Sequence, residues 1–326
     1  MSPLISIVIP VHNGAAKLTV CLDAVGRSTY RDFETLVVDD GSTDHSPSLA
    51  RERGAEVLST GARKGPAYAR NRGAAAARGE ILFFIDADVS IQADTLERVA
   101  QAFAGDPHLD ALFGSYDEHP AASNFLSQYK NLMHCFVHQQ GKRQASTFWT
   151  GCGAIRRSVF TACGGFDERY LQPSIEDIEL GARLIRQGYT IELDPALMVK
   201  HLKHWTLRGL LASDILHRAI PWTMLMMRER HIPNDLSVQW RQRVSVALVF
   251  LALVLAPFWW PASAIATGAT IALNQRFYGF LARRRGILFA LRSIPLHLFY
   301  FFYSGVAFAL ACGMSLVRRQ PRPGAT

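Results

Sequence analysis

Two aspartates separated by one residue, Asp86-Ala87-Asp88, follow the apolar run Ile81-Leu82-Phe83-Phe84-Ile85. A run that short and β-rich predicts a buried strand, which puts both carboxylates at its C-terminal edge, where open α/β sheets hold ligands. At this spacing the pair can flank one hard cation, and oxygen ligands suit Mg2+ or Mn2+ with positions left open for a diphosphate. A second acidic pair, Asp39-Asp40, closes the apolar segment 34–40. A carboxylate there can accept from a pyrimidine ring N–H or a ribose hydroxyl, or simply serve the turn at Gly41-Ser42. A third pair, Glu176-Asp177, opens a stretch with Ile178, Leu180, Leu184 and Ile185 at helical spacing. Acids in that position complement a helix dipole, and one can also act as a general base toward an attacking hydroxyl.

Cations and flexible backbone lie between these pairs. Arg63, Lys64, Arg70, Asn71 and Arg72 precede the Asp86 strand and can offset diphosphate charge, with Asn71 suited to hold a loop or a ribose. Thr150-Gly151-Cys152-Gly153, followed by Arg156-Arg157, reads as an open loop whose glycines admit close backbone approach to a ligand. Cys152 has no neighbouring partner that would make it a nucleophile.

The elements that must position these groups alternate regularly. Strand patterns at 4–11, 34–40, 55–58 and 81–85 are separated by helical patterns, notably 15–25 and 65–78. This βα alternation predicts a doubly wound parallel sheet. The first strand leads into Pro10-Val11-His12-Asn13-Gly14, not G-x-G-x-x-G, so a nicotinamide-binding reading is poor. Further on, a strand is expected at 110–116, a helix at 121–139, a strand or turn at 148–155, a helix at 176–187 and a short last strand at 190–193, ending before Asp194-Pro195.

Composition divides the chain of 326 residues. Residues 201–326 carry 15 Lys/Arg against 3 Asp/Glu, a net +12, whereas residues 1–200 carry 20 against 24, a net −4. The basic part contains uncharged stretches at 244–275 and 293–317, which are membrane-span candidates. Pro257-Phe258-Trp259-Trp260-Pro261 interrupts the first and suggests a hairpin of two short spans. Arg276, Arg283, Arg284, Arg285 and Arg292 would then lie on the cytosolic side, and Arg318-Arg319 close the last stretch. The segment 207–227, with Arg208, Asp214, His217 and Arg218 among apolar residues, suits an interfacial helix. No stripe of cations with interleaved aromatics marks a nucleic-acid surface. Five cysteines without a C-x-x-C pair fit a reduced, cytosolic domain lacking structural zinc, and the short apolar start has no basic flank of the secretory type.

The ordered motifs Pro10-Val11-His12-Asn13, Val38-Asp39-Asp40-Gly41-Ser42-Thr43-Asp44, Ala69-Arg70-Asn71-Arg72-Gly73, Phe84-Ile85-Asp86-Ala87-Asp88, Gly164-Gly165-Phe166-Asp167-Glu168 and Glu176-Asp177-Ile178-Glu179-Leu180 resemble those of family 2 glycosyltransferases. The resemblance covers roughly residues 4–205. It implies a GT-A fold, a Rossmann-like doubly wound mixed sheet, here followed by C-terminal transmembrane helices. It also implies a nucleoside-diphosphate sugar donor, UDP in the first instance, held by Pro10, Val11, Asn13, Asp39, Asp40, Arg70, Asn71 and Asp86. Asp86, Asp88 and His201 would hold Mg2+ or Mn2+. Asp177, beside Glu176, would be the base of an inverting displacement. The acceptor region would include Gly151, Arg156, Gly165, Phe166, Asp167 and Trp205. Where processive relatives carry Q-x-x-R-W, this chain reads His201-Leu202-Lys203-His204-Trp205, which favours single transfer.

The expected organisation is a catalytic domain at 1–205, an interfacial linker at 206–240, and a membrane domain at 241–326 with two or three spans. The expected protein is a multi-pass cell-membrane enzyme with a cytosolic catalytic domain and a lipid or lipid-linked hydroxyl acceptor. Transfer to polyprenyl phosphate and a non-catalytic nucleotide-sugar-binding scaffold are the alternatives.

Overall fold

β1 (Ile5–Val11) is dominated by Ile and Val, and every residue but Pro10 is buried. Burial on both faces is what a central parallel strand requires. β2 (Phe33–Asp39) and β4 (Ile81–Ile85) flank it in parallel, and β3 (Glu56–Ser59) extends the sheet beyond β2. The crossovers are α1 (Ala15–Gly26), α2 (Ser46–Glu52) and α3 (Pro66–Ala76). The computed structural model describes residues 4–230 and 235–317.

Beyond β4 the chain continues as β5 (Val89–Ile91), α4 (Thr95–Gly105), β6 (Ala111–Tyr116), α5 (Phe125–Gln139), β7 (Cys152–Arg156), α6 (Arg157–Ala162), α7 (Glu176–Arg186) and β8 (Ile191–His201). The strand order is β3-β2-β1-β4-β7-β6-β8-β5. β7 runs antiparallel to both β4 and β6, and β5 antiparallel to β8, so the sheet is mixed. A wholly parallel sheet, which the βα alternation alone suggested, ends at β4. The next position is filled by a strand entering from the opposite direction, without the helical crossover that parallel pairing needs.

β8 is longer than its sequence suggested. Pairing with β6 steps from Phe113↔Leu193 to Ser115↔Met198, so residues 194–197 all oppose Gly114. Pro195 is tolerated inside this bulge because the ladder is interrupted there. A Cβ on Gly114 would overlap the Leu197 carbonyl, which leaves glycine as the fitting residue.

The chain divides into two compact units, Met1–Thr206 and Leu207–Thr326. The second comprises α8 (Leu207–Ala212), a π-helical stretch Ser213–Ala219, α9 (Ile220–Glu229), a 3-10 turn Leu236–Val238, α10 (Trp240–Leu255), α11 (Trp260–Leu273), α12 (Gln275–Arg285) and α13 (Ile287–Val317). α10 and α11 form an antiparallel hairpin, pinned at its base by Asn274 Nδ2 donating to Ser245 Oγ at 2.8 Å.

With a rise of about 1.5 Å per residue, α10 and α11 measure about 24 and 21 Å, short of the roughly 30 Å hydrocarbon core. Among the described residues, one helix is long and apolar enough to cross a membrane, the Ile287–Ser315 part of α13. The expectation of two or three spans is therefore corrected to one candidate. The break at Pro257 divides the first uncharged stretch into helices too short to cross singly. Arg318 and Arg319 lie outside the described residues, as does 231–234 of the expected linker. The segment 207–229 is not purely interfacial in character either, since Asp214 is buried and accepts a 2.7 Å hydrogen bond from the Tyr303 hydroxyl of α13.

α7 packs so closely that Gly181 faces the 147–148 backbone, and a Cβ there would lie 2.7 Å from the Thr147 carbonyl carbon. Alanine in a helix interior normally gains about 0.5–1 kcal/mol over glycine. Overpacking costs about 1–3 kcal/mol and should win here. Gly181→Ala is expected to lower the melting temperature of the full chain, and an unchanged or raised melting temperature would refute this packing.

Candidate active site

The C-terminal ends of β1, β2 and β4 open onto a cleft of about 400 Å³. β1 delivers Pro10 and Val11, the following turn Asn13, and the end of β4 Asp86 and Asp88. The opposite wall comes from the start of α7, with Glu176 and Asp177, and from Trp149 and Thr150 just before β7. One cleft thus holds the D-x-D pair and the helix-opening acids, which are 91 positions apart in the sequence when counted from Asp86 to Asp177.

Arg70 of α3 joins the two walls. Its side chain is 5% exposed, and it donates to Asp86 at 2.7 Å through one terminal nitrogen and to Glu176 at 2.9 Å through the other. Burial disfavours the guanidinium charge, yet the Asp86, Glu176 and Asp177 carboxylates outweigh that and raise its pKa. The Phe166 ring lies against the guanidinium, 5.7 Å from centroid to Cζ. Glu176 also accepts from Ser174 N at 2.8 Å.

Asp177 is oriented by its own helix start and by the neighbouring loop. Its Oδ1 accepts from Ile178 N at 2.8 Å, and its Oδ2 accepts from Thr150 N at 3.2 Å and Thr150 Oγ1 at 3.4 Å. Besides Arg70, the cations Lys17, Arg63 and Lys203 line the same cleft. Lys17 Nζ lies 3.6 Å from Asp88.

Asp88 Oδ2 and His201 Nε2 are 3.9 Å apart. Two ligands each about 2.0–2.1 Å from a shared cation fit within that separation. Asp86 is instead turned to Arg70, and among the described residues no group of three or more His, Cys, Asp or Glu side chains is gathered for a metal. Asp88 and His201 are the two side chains that would hold a hard cation, with the rest of its shell left to phosphate oxygens and water.

Other residues expected at the site serve its frame. Asp40 lines the cleft, but its carboxylate accepts from Thr60 Oγ1, Lys64 N and Gly65 N, fixing the loop after β3. Asp39 is not on the cleft wall, and its Oδ1 accepts from Ser42 N. Asn71 clamps the backbone of Phe166 from both sides, donating to its carbonyl and accepting from its N–H.

None of the six residues expected in the acceptor region lines this cleft. Arg156 points away from the cleft, its guanidinium donating to the carbonyls of Phe103, Asp106, Pro107 and Leu109 at the end of α4. Gly151 does not admit a ligand, because the space beside it is filled by the Trp149 ring. Asp167 is bound to Arg169, and Gly165 gives its carbonyl to Arg183. Phe166 is packed on Phe84 and Phe160, and Trp205 is buried with Lys203 over its ring at 4.0 Å. Burial pushes the Cys152 thiol up, consistent with an inert side chain.

Lys17, Trp149, Leu171, Pro173 and Ser174 line the cleft without having been singled out. A readable signal existed for two of them. Lys17 follows the Asn13-Gly14 turn within the first turn of α1, and Trp149 precedes two glycines that make room for its ring and carbonyl.

A mixed doubly wound sheet with a D-x-D pair facing a helix-opening carboxylate is the GT-A fold. Residues 6–164 match glycosyl transferase family 2, and residues 131–205 match the family described as N-terminal domain of galactosyltransferase. Residues 6–164 thus form a family 2 glycosyltransferase domain. The chain is 42% identical over 113 residues to a PGL/p-HBAD biosynthesis glycosyltransferase of Mycobacterium bovis, covering 32% of this chain and 43% of that protein. The chain thus spans less than half the length of the curated relatives it matches. Among solved structures, it resembles the mannosyltransferase PcManGT of Pyrobaculum calidifontis, in complex with GDP-Man and Mn2+, with a TM-score of 0.61 and 21% identity over 98% of this chain and 89% of that one. S. aureus TarS with UDP-GlcNAc gives a TM-score of 0.54 at 18% identity, over 96% of this chain and 92% of that one.

Removing one partner of a buried ion pair strands the other and costs about 3–5 kcal/mol. Arg70→Met is expected to destabilise the protein by that order, read from denaturation of the full chain. A loss below about 1 kcal/mol would show that Arg70 does not join the two walls.

Proposed function

We propose that this protein is an inverting, metal-dependent glycosyltransferase that moves a sugar from a nucleoside-diphosphate donor to a lipid or lipid-linked hydroxyl at the cytosolic face of a membrane. The observation that carries this reading is the single cleft in which Asp88 and Asp177 face a common space beside Lys17, Arg63 and Lys203. The acceptor hydroxyl approaches Asp177 from the cleft, and Asp177 takes its proton as the new C–O bond forms. The bond from the anomeric carbon to the nucleoside diphosphate breaks on the opposite face, which inverts the centre. A Mg2+ or Mn2+ ion at Asp88 and His201 would supply Lewis-acid neutralisation of the departing diphosphate. Lys17, Arg63 and Lys203 add fixed positive charge where negative charge develops. Holding the two substrates in line is worth about 7–11 kcal/mol in well-oriented systems.

A uridine donor is supported by TarS with UDP-GlcNAc, and a guanosine donor is the competitor raised by PcManGT with GDP-Man. The lipid acceptor is supported by α13 as a candidate span and by the net charge of +12 on residues 201–326, which favours anionic lipid surfaces. The changed polar positions around Trp205 support single transfer over polymer synthesis.

Asp177→Asn is expected to lower kcat by about 10²–10⁴-fold with little change in donor KM. The assay follows release of nucleoside diphosphate with UDP- and GDP-sugars and a lipid extract. A phosphate nucleophile needs no base, so near-normal turnover of Asp177→Asn would replace the hydroxyl acceptor with a lipid phosphate. In the same assay, EDTA is expected to abolish release and Mn2+ or Mg2+ to restore it. Full activity in EDTA would remove the metal from the mechanism, and donor binding without any release would leave a scaffold.

A further inference from the structure

The His201 imidazole sits at the end of β8 and is 6% exposed. The Tyr116 ring lies flat against it, with centroids 4.2 Å apart and an interplanar angle of 15°. We propose that Tyr116 is a positioning residue: it holds the His201 ring where, with Asp88, it can take a divalent cation, and it ties that position to the segment that orients Asp177. The proposal rests on the metal-dependent reading above and adds to it the device that sets the ligand.

The sheet register makes this contact. Tyr116 pairs with Val199, so His201, two residues further along β8, emerges on the same face as Tyr116. Had the pairing Phe113↔Leu193 continued unchanged, Tyr116 would face Ala196, and His201 would lie an odd number of residues away on the other face. The Gly114 bulge is therefore what brings the two rings together. α5 secures that bulge, with His138 Nδ1 donating to the Gly114 carbonyl at 3.0 Å.

Tyr116 also touches the other wall. Its ring meets Trp149 edge-on at 4.8 Å and 83°, and His134 at 5.1 Å. Trp149 is adjacent in sequence to Thr150, whose N–H and hydroxyl both reach Asp177. Close by, Leu202 N donates to the Asp88 carbonyl at 2.8 Å, holding the β8 end against the D-x-D turn. One aromatic ring thus stands between the cation-binding pair and the loop that orients the base.

An imidazole has a broad χ2 preference, so a ring held on one face by stacking is confined in a way its own rotamers do not impose. Groups that orient a metal ligand typically change affinity by 10–100-fold when removed. The test titrates Mn2+ alone into the full-length protein, with free Mn2+ read by electron paramagnetic resonance. Tyr116→Leu is expected to raise the Mn2+ Kd by about tenfold or more, whereas Tyr116→Phe, which keeps the stacking face, stays within about twofold. In a His201→Ala background, Tyr116→Leu is expected to change the Kd no further. Tyr116→Met, which fills the volume without a flat face, repeats the measurement if Tyr116→Leu lowers the melting temperature.

Wild-type affinity in both Tyr116→Leu and Tyr116→Met overturns the proposal alone, as does an equal loss of affinity in the His201→Ala background. A wild-type protein that takes up no Mn2+ overturns the metal-dependent reading and this proposal together.

Discussion

The site depends on one buried guanidinium. Arg70 is fixed by α3, and its two terminal nitrogens reach carboxylates on elements that the sequence separates widely, Asp86 at the end of β4 and Glu176 at the start of α7. A planar fork with fixed donor directions can satisfy two acids at once in a way that a lysine point charge cannot. Desolvation makes such a cluster expensive, and it is tolerable only because both acids are engaged. The surrounding residues follow from that requirement. Phe166 supplies an apolar face beneath the cation, Phe84 and Phe160 hold Phe166, and Asn71 clamps its backbone. The Gly164–Glu168 stretch thus beds the Arg70 ion pair through Phe166.

This constraint also divides labour within the acidic pairs. In Asp86/Asp88 and Glu176/Asp177 the first member binds Arg70, and the second is left facing the cleft. The frame therefore sets one cation against two negative charges, while Asp88 lies beside Lys17 and Asp177 accepts from Thr150 and Ile178. The third pair is hydrogen-bonded to the neighbouring loops. Asp39 holds the Ser42 turn, and Asp40 gathers Thr60, Lys64 and Gly65. With Asp40 occupied in this way, Arg63 is held next to a fixed loop at the cleft edge. Adjacent acids in a sequence thus carry unequal chemical weight, decided by which of them the nearest guanidinium or amide claims.

The part of the fold built from strictly local pattern was legible in the sequence. β1 and β4 are continuous apolar runs, and the polar ends of those runs announce the cleft. The second half of the sheet was not legible for a physical reason: strand direction is set by pairing across the sheet, and nothing local to Cys152–Arg156 marks it as antiparallel to β4. Pro195 signals the end of a strand in every local reading, yet the partner strand bridges it because Gly114 leaves room for the bulge. Side-chain direction was equally hidden. Arg156 beside a glycine-rich loop reads as a ligand contact until the α4 carbonyls appear behind it, and Gly151 reads as open backbone until the Trp149 ring fills the space.

The second unit poses the same question of local pattern against packing. α13 has 31 residues and is about 47 Å long, exceeding the roughly 30 Å that a crossing requires. The surplus means that hydropathy alone does not fix which part meets the hydrocarbon. Tyr303, about 24 Å along the helix, falls within reach of any crossing segment and carries a hydroxyl bonded to a buried carboxylate. An ionisable side chain at membrane depth costs about 2.5–3.5 kcal/mol even on permissive scales, and such groups are kept against protein. Asp214 meets that condition, being 6% exposed in the π-helical stretch that precedes α9. If α13 crosses, segment 207–229 must accompany it as cover for this pair. Asp214 is then explained by a partner helix, without assigning it to a lipid surface.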